Sequence, residues 1–185
     1  MKKLAIMAIL AAAAITASAT EVTVSGERDS TQNGVSGYSV AVSQPVAAVH
    51  GLIVSGQFET TAGAKGTNVD QYSVGASYDV ATVGPVTLSA LGGVGYLDDQ
   101  AAAARGTYVS FGAQAYTLIP YVKGLFATAA VTRQLGTSAV RAADHTEATV
   151  SVSYVVTPTI TATLSETVYN NTPGNKAAFG VSYAF

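Results

Sequence analysis

The chain has 185 residues, of which 49% are hydrophobic and only 11% charged, with a formal net charge of -2. That length fits one domain, and a charged fraction far below the soluble average of about 25% argues against a soluble globule. A small negative charge with no basic patch excludes a nucleic-acid binder, and the absence of cysteine excludes disulfide scaffolds, thiolate metal sites and cysteine nucleophiles.

Residues 1–19 read as a secretory signal. Lys2 and Lys3 give the positive start, residues 4–15 form an apolar run, and Ala17-Ser18-Ala19 is a small-x-small cleavage pattern. Cleavage is expected between Ala19 and Thr20, leaving 20–185 as a single domain. The apolar run is too short to span a bilayer comfortably, and no later stretch reaches the roughly 20 apolar residues of a membrane helix. Export and high hydrophobicity without a spanning helix leave a closed barrel as the membrane option.

Most of the remaining chain alternates apolar with small or polar residues. In chain order the alternating runs are 21–28, 37–43, 52–60, 71–81, 86–97, 107–119, 121–133, 147–156, 159–169 and 176–185. Period two is the strand signature, and Val, Thr and Tyr are strand formers. Proline cannot donate to a ladder; Pro45, Pro85, Pro120 and Pro158 fall in breaks about 35–40 residues apart, which divides the chain into five two-strand segments. The expected fold is all-β: a transmembrane antiparallel up-and-down barrel of ten strands, with eight as the alternative if the weaker runs merge. The proline connectors are mostly short and the others mostly longer, the outer-membrane barrel pattern.

The second face of the runs is Ser, Thr, Gly, Ala and Gln, where a soluble sandwich would carry Lys and Glu. Aromatics gather toward strand ends. Tyr38, Phe58, Tyr72, Tyr96, Tyr108 and Tyr169 lie toward the long loops; Tyr78, Tyr116, Tyr121, Tyr154, Tyr183 and Phe185 lie toward the turns. Two such groups suit two aromatic belts.

The chain ends Phe179-Gly180-Val181-Ser182-Tyr183-Ala184-Phe185. Gly180, Tyr183 and Phe185 resemble the barrel-assembly signal of small bacterial outer-membrane β-barrels, although Ala178 stands where a polar residue is usual. The resemblance is one of pattern over 20–185. It implies an outer-membrane location, periplasmic termini and proline turns, and extracellular long loops. It also implies as partners outer-membrane lipid, the secretion translocon and the barrel-assembly machinery. With that orientation, lipid would meet residues such as Val74, Val150, Val152 and Leu164. The lumen would meet Ser39, Gln57, Glu59, Ser73, Asp79, Ser110, Thr149 and Ser182. Glu166 falls on the lipid side unless a bulge returns it to the lumen.

Little chemistry is in view. Some ten-stranded outer-membrane barrels are proteases with acid-x-acid and acid-x-His pairs on one strand face, but here Asp98-Asp99 and Asp144-His145 are adjacent and would point apart. Ser138 and His145 share a loop without anything to position them, and two carboxylates at Asp98 and Asp99 do not make a calcium site. No catalytic residue, cofactor or metal site is expected, and the chain is not read as an enzyme. The expected function is a narrow porin-like channel for small solutes or ions, with Glu59 and Asp79 biasing the lumen toward cations. The alternative is a non-conducting surface barrel, an adhesin or envelope stabiliser acting through its extracellular loops.

Overall fold

The computed structural model describes residues 20–29, 36–62, 68–100, 104–137, 144–170 and 175–185. The expected signal, residues 1–19, and Ser138 lie outside the described residues. Ten strands follow one another: β1 (Glu21–Asp29), β2 (Ser36–Pro45), β3 (Leu52–Ala62), β4 (Asn68–Val83), β5 (Val86–Asp99), β6 (Ala104–Leu118), β7 (Leu125–Gly136), β8 (His145–Thr157), β9 (Ile160–Tyr169) and β10 (Asn175–Ala184). Each pairs antiparallel with its neighbours in sequence, and β1 pairs with β10 to close the barrel. The ten-strand expectation holds, and the eight-strand alternative does not.

Prolines act as expected, by withdrawing a ladder donor. Pro45 is the last residue of β2, paired with Ile53. Gly84 and Pro85 form the tight β4–β5 connection, with Gly84 at φ 60, a conformation that favours glycine. After Pro120 the chain turns for longer than expected. Tyr121 sits at φ 71 and belongs to the turn, so β7 starts at Leu125 instead of 121. The ladder stops at Leu118, and Ile119 N–H donates across the turn to the Leu125 carbonyl at 2.9 Å. At the other end β4, β5 and β6 run further than their alternation indicates. There the Arg105 guanidinium bonds Asp98 across the strands at 2.9 Å.

The molecule is apolar on the outside. Among the described residues only Phe58 and Tyr108 are buried hydrophobics, while Val74 and Val150 on the outer face are 60% and 58% exposed. The inner wall is laced by hydroxyl pairs: Thr23 with Ser182 at 2.8 Å, Ser153 with Thr163 at 2.8 Å, and Thr149 with Thr167 at 2.9 Å. These pairs sit directly opposite in register, so inward hydroxyls satisfy one another. That inversion of the usual core is the pattern of a barrel immersed in an apolar medium.

Register fixes the stagger. The row of partners leaving Ser25 through β2 runs by Ser39, Glu59, Gln71 and Leu97 to Gly106 on β6. The row leaving Ser25 through β10 runs by Gly180, Thr163, Ser153 and Phe126 to Leu118, also on β6. The two arrivals are about 12 residues apart, a stagger that requires tilted strands. Among the described residues two irregularities occur, between Asp79 and Ala81 and between Val155 and Thr157, both near the short-turn end. None occurs at Glu166. It pairs with Val150 and Ala177, stays on the outer face, and accepts a hydrogen bond from Asn175 Nδ2 at 2.6 Å.

Candidate functional site

Toward the long-loop end, alternation points polar side chains from most of the strands into one space, a cavity of about 440 Å³ inside the barrel. Lys176 enters from β10. Its Nζ lies 2.9 Å from Glu59 Oε1 on β3 and 3.2 Å from Glu27 Oε2 on β1. The Glu27 side chain is only 5% exposed, and those of Glu59 and Lys176 are 18% exposed. Two strands from β10, β8 supplies His145 and Glu147, two residues apart and so on one face. His145 Nε2 stands 3.6 Å from Glu147 Oε2, and its ring meets Tyr169 edge-on with centroids 5.4 Å apart. Three carboxylates thus face one ammonium and one imidazole.

Gln134 on β7 is 7% exposed and lines the same cavity. Its Oε1 has no hydrogen-bond partner among the described residues, and neither has His145 Nε2. Tyr108 on β6 is held more firmly. Its hydroxyl accepts from Gln71 Nε2 at 2.6 Å, Leu97 packs against it, and it is 3% exposed. Its register partner is Gly95, and a Cβ there would overlap the tyrosine ring. The glycine therefore makes room for the ring on the inner wall, and the ring covers the backbone the glycine leaves bare.

The residues singled out in the sequence are dispersed. Glu59 is part of this cluster. Asp79 has inward parity but lies at the short-turn end, where it accepts from Ser89 Oγ at 2.7 Å. Glu59 and Asp79 therefore sit toward opposite ends of the barrel. Gly180 faces inward opposite Ser25, while Tyr183 and Phe185 meet edge-on with centroids 4.8 Å apart. Ala19 lies outside the described residues; Thr20 is buried, and its carbonyl accepts from Phe185 N–H at 3.0 Å. Asp98 pairs with Arg105, and Asp144 accepts from Gly136 N–H at 2.6 Å.

The two-belt reading needs correction. Tyr38, Phe58 and Tyr72 do stack along the outer wall, with centroids 6.1 and 5.0 Å apart. Tyr108 and Tyr169 point into the cavity instead, and Tyr116 shares the inward parity of Gln114. Nearness to a strand end was a poorer guide than parity. Tyr108 is two residues from Ser110, and Tyr169 is an even number of residues from Thr161 and Thr163. The same counting from Ser25 reaches Glu27, and from Ser182 it reaches Lys176, so the signal for both is parity and not strand position.

No protein-family model matches the chain, and no curated protein does. Solved structures do. The chain is similar to the KdgM porin, with a TM-score of 0.53 at 12% identity over 89% of this chain and 99% of that one. It is similar to the NanC porin, with a TM-score of 0.51 at 16% identity over 89% of this chain and 100% of that one. The chain shares with these porins the fold of a closed antiparallel β-barrel. A further structure with this fold, the KdgM porin in complex with disordered oligogalacturonate, gives a TM-score of 0.50 at 12% identity over 89% of this chain. At these identities the porin likeness is one of backbone, and this barrel's interior has to be read from its own residues.

Proposed function

We propose that this chain is an integral outer-membrane barrel that conducts small solutes and ions and favours cations over anions. One observation carries the reading. Apart from Tyr108, Tyr169 and His145, the uncharged cavity wall is mostly short hydroxyl and amide side chains, and where charges meet around the cavity, Glu27, Glu59 and Glu147 outnumber Lys176. A wall of small residues leaves bore, and a fixed excess of carboxylate in a confined space concentrates cations. An oligogalacturonate is a chain of carboxylates, and this lumen would repel it. The preference therefore runs opposite to the ligand that the KdgM complex holds. Glu59 contributes at the loop end, and Asp79 adds a second acidic position near the turns.

The test is conductance of the refolded protein in planar bilayers, with a heat-dependent gel shift as the check on folding. Stable unitary steps whose reversal potential in a salt gradient reports cation preference are expected. Glu59→Gln with Asp79→Asn should move that potential toward zero. A folded barrel that never conducts would end this reading and return attention to the loop-end surface.

A further inference from the structure

The cavity among Lys176, Gln134 and Glu147 is more specific than a charged bore requires. We infer that it is a binding site for a small hydroxylated organic cation, of the amino-sugar or amino-alcohol class. The inference deepens the porin reading and depends on it only for how the ligand arrives.

Four observations carry it. First, the size fits an organic ligand. The 440 Å³ space would hold about fifteen waters at liquid density and falls within the usual range of about 300–1,000 Å³ for ligand pockets. Second, the acids are spread out. Glu27 and Glu59 share Lys176, Glu147 stands beside His145, and no three His, Asp or Glu among the described residues converge as metal ligands. A bare metal ion finds no converging set of ligands among the described residues, whereas a molecule several atoms long can present an ammonium to one group and hydroxyls to the other. Third, a deeply buried acceptor waits unfilled. Gln134 is more than nine-tenths buried, lines the cavity and has no partner for its Oε1 among the described residues. Buried polar atoms are rarely left so, and a turn of the Gln134 amide toward the cavity would let an ammonium or hydroxyl hydrogen supply what is missing. Fourth, the remaining wall speaks for hydroxyls. Gln57, Gln71, Ser73, Ser110 and Thr132 offer amide and hydroxyl groups, and Tyr169 adds a phenol ring to the lining.

Because Lys176 occupies Glu27 and Glu59, the carboxylate left for the incoming ammonium is Glu147, on the same wall as Gln134. Gln134 and His145 are direct register partners, and Glu147 is two residues beyond His145, so these groups form one contiguous patch.

Isothermal titration of the refolded barrel in detergent micelles tests this without any reference to conductance. The probes are glucosamine, glucose and calcium chloride. Glucosamine should bind saturably, and glucose, its neutral counterpart, at least about tenfold more weakly. Glu147→Gln and Gln134→Met, each checked for heat-modifiable folding, should weaken glucosamine at least about fivefold. The comparison of the two sugars on the unaltered protein holds even if a variant does not fold. Equal binding of glucose, no saturation by glucosamine up to about 50 mM, or calcium binding more tightly than glucosamine would overturn the inference. A barrel that conducts but does not bind glucosamine defeats this inference alone; one that binds but is silent in bilayers defeats the porin reading alone.

Discussion

Lys176 Nζ donates to Glu59 Oε1 at 2.9 Å although 117 positions separate the two residues in the chain. The contact exists because β10 closes on β1 and the lysine reaches past β1 and β2 to β3. One flexible ammonium thereby compensates two carboxylates from different strands, and the cluster ties the seam of the barrel to its interior.

Removing that ammonium should expose the acids. Lys176→Met is expected to increase cation selectivity, read as a larger reversal potential in a salt gradient. It should also cost about 1–3 kcal/mol, less than a fully dry pair because lumen water reaches part of the cluster. Glu27→Gln in the same chain should recover much of that loss in urea unfolding, because it removes the most deeply buried of the uncompensated charges.

Gly95 and Tyr108 should behave as one unit. Gly95→Ala forces the Tyr108 ring off its seat, for an expected cost of about 1–3 kcal/mol. In a Tyr108→Ala background the same alanine should cost less than about 0.5 kcal/mol, the coupling expected of residues in direct contact. Urea titrations of the four proteins measure it, and additive losses would contradict the contact.

Neighbouring residues on β8 should respond in opposite ways. Val150 is outward and Ser151 inward. Val150→Arg is expected to destabilise the barrel in lipid by about 2–4 kcal/mol. Ser151→Arg should cost little stability but lower conductance and shift selectivity toward anions. Unfolding in lipid vesicles and single-channel recording separate the two.

Tyr121 holds a left-handed φ of 71 in the β6–β7 turn and is fully exposed. A left-handed non-glycine residue costs about 1 kcal/mol, and asparagine and glycine bear it better. Tyr121→Gly is therefore expected to raise stability in detergent by about 0.5–1 kcal/mol, measured by urea unfolding.

Much of this fold is written in short-range pattern. Alternation marks the ten runs, and proline marks where ladders must stop, because both effects act within a few residues. The inner and outer sets follow from the same counting; Ser39, Gln57 and Thr149 sit on the wall that parity assigns them. Tyr121 escaped because its backbone angle, not its side-chain type, places it in a turn. The cavity is legible only in part. Glu27, Gln134, Glu147 and Lys176 each have inward parity in the sequence, but which of them meet depends on the stagger of about 12 residues around the barrel. No local pattern encodes that sum. Lys176 finds Glu59, and Asp79 stays at the far end, for that reason.

The seam between β1 and β10 has one more consequence. Its ladder is as continuous as any other, and the Phe185 amide reaches the Thr20 carbonyl at 3.0 Å. In a chain made to start at Thr20, a short linker joining Phe185 to Thr20, with new ends opened between Gly84 and Pro85, would preserve every pairing around the ring. What it would change is the distance along the chain: β4 and β5 would stand at opposite ends of it, as β1 and β10 do now, and theirs would become the pairing of greatest sequence separation.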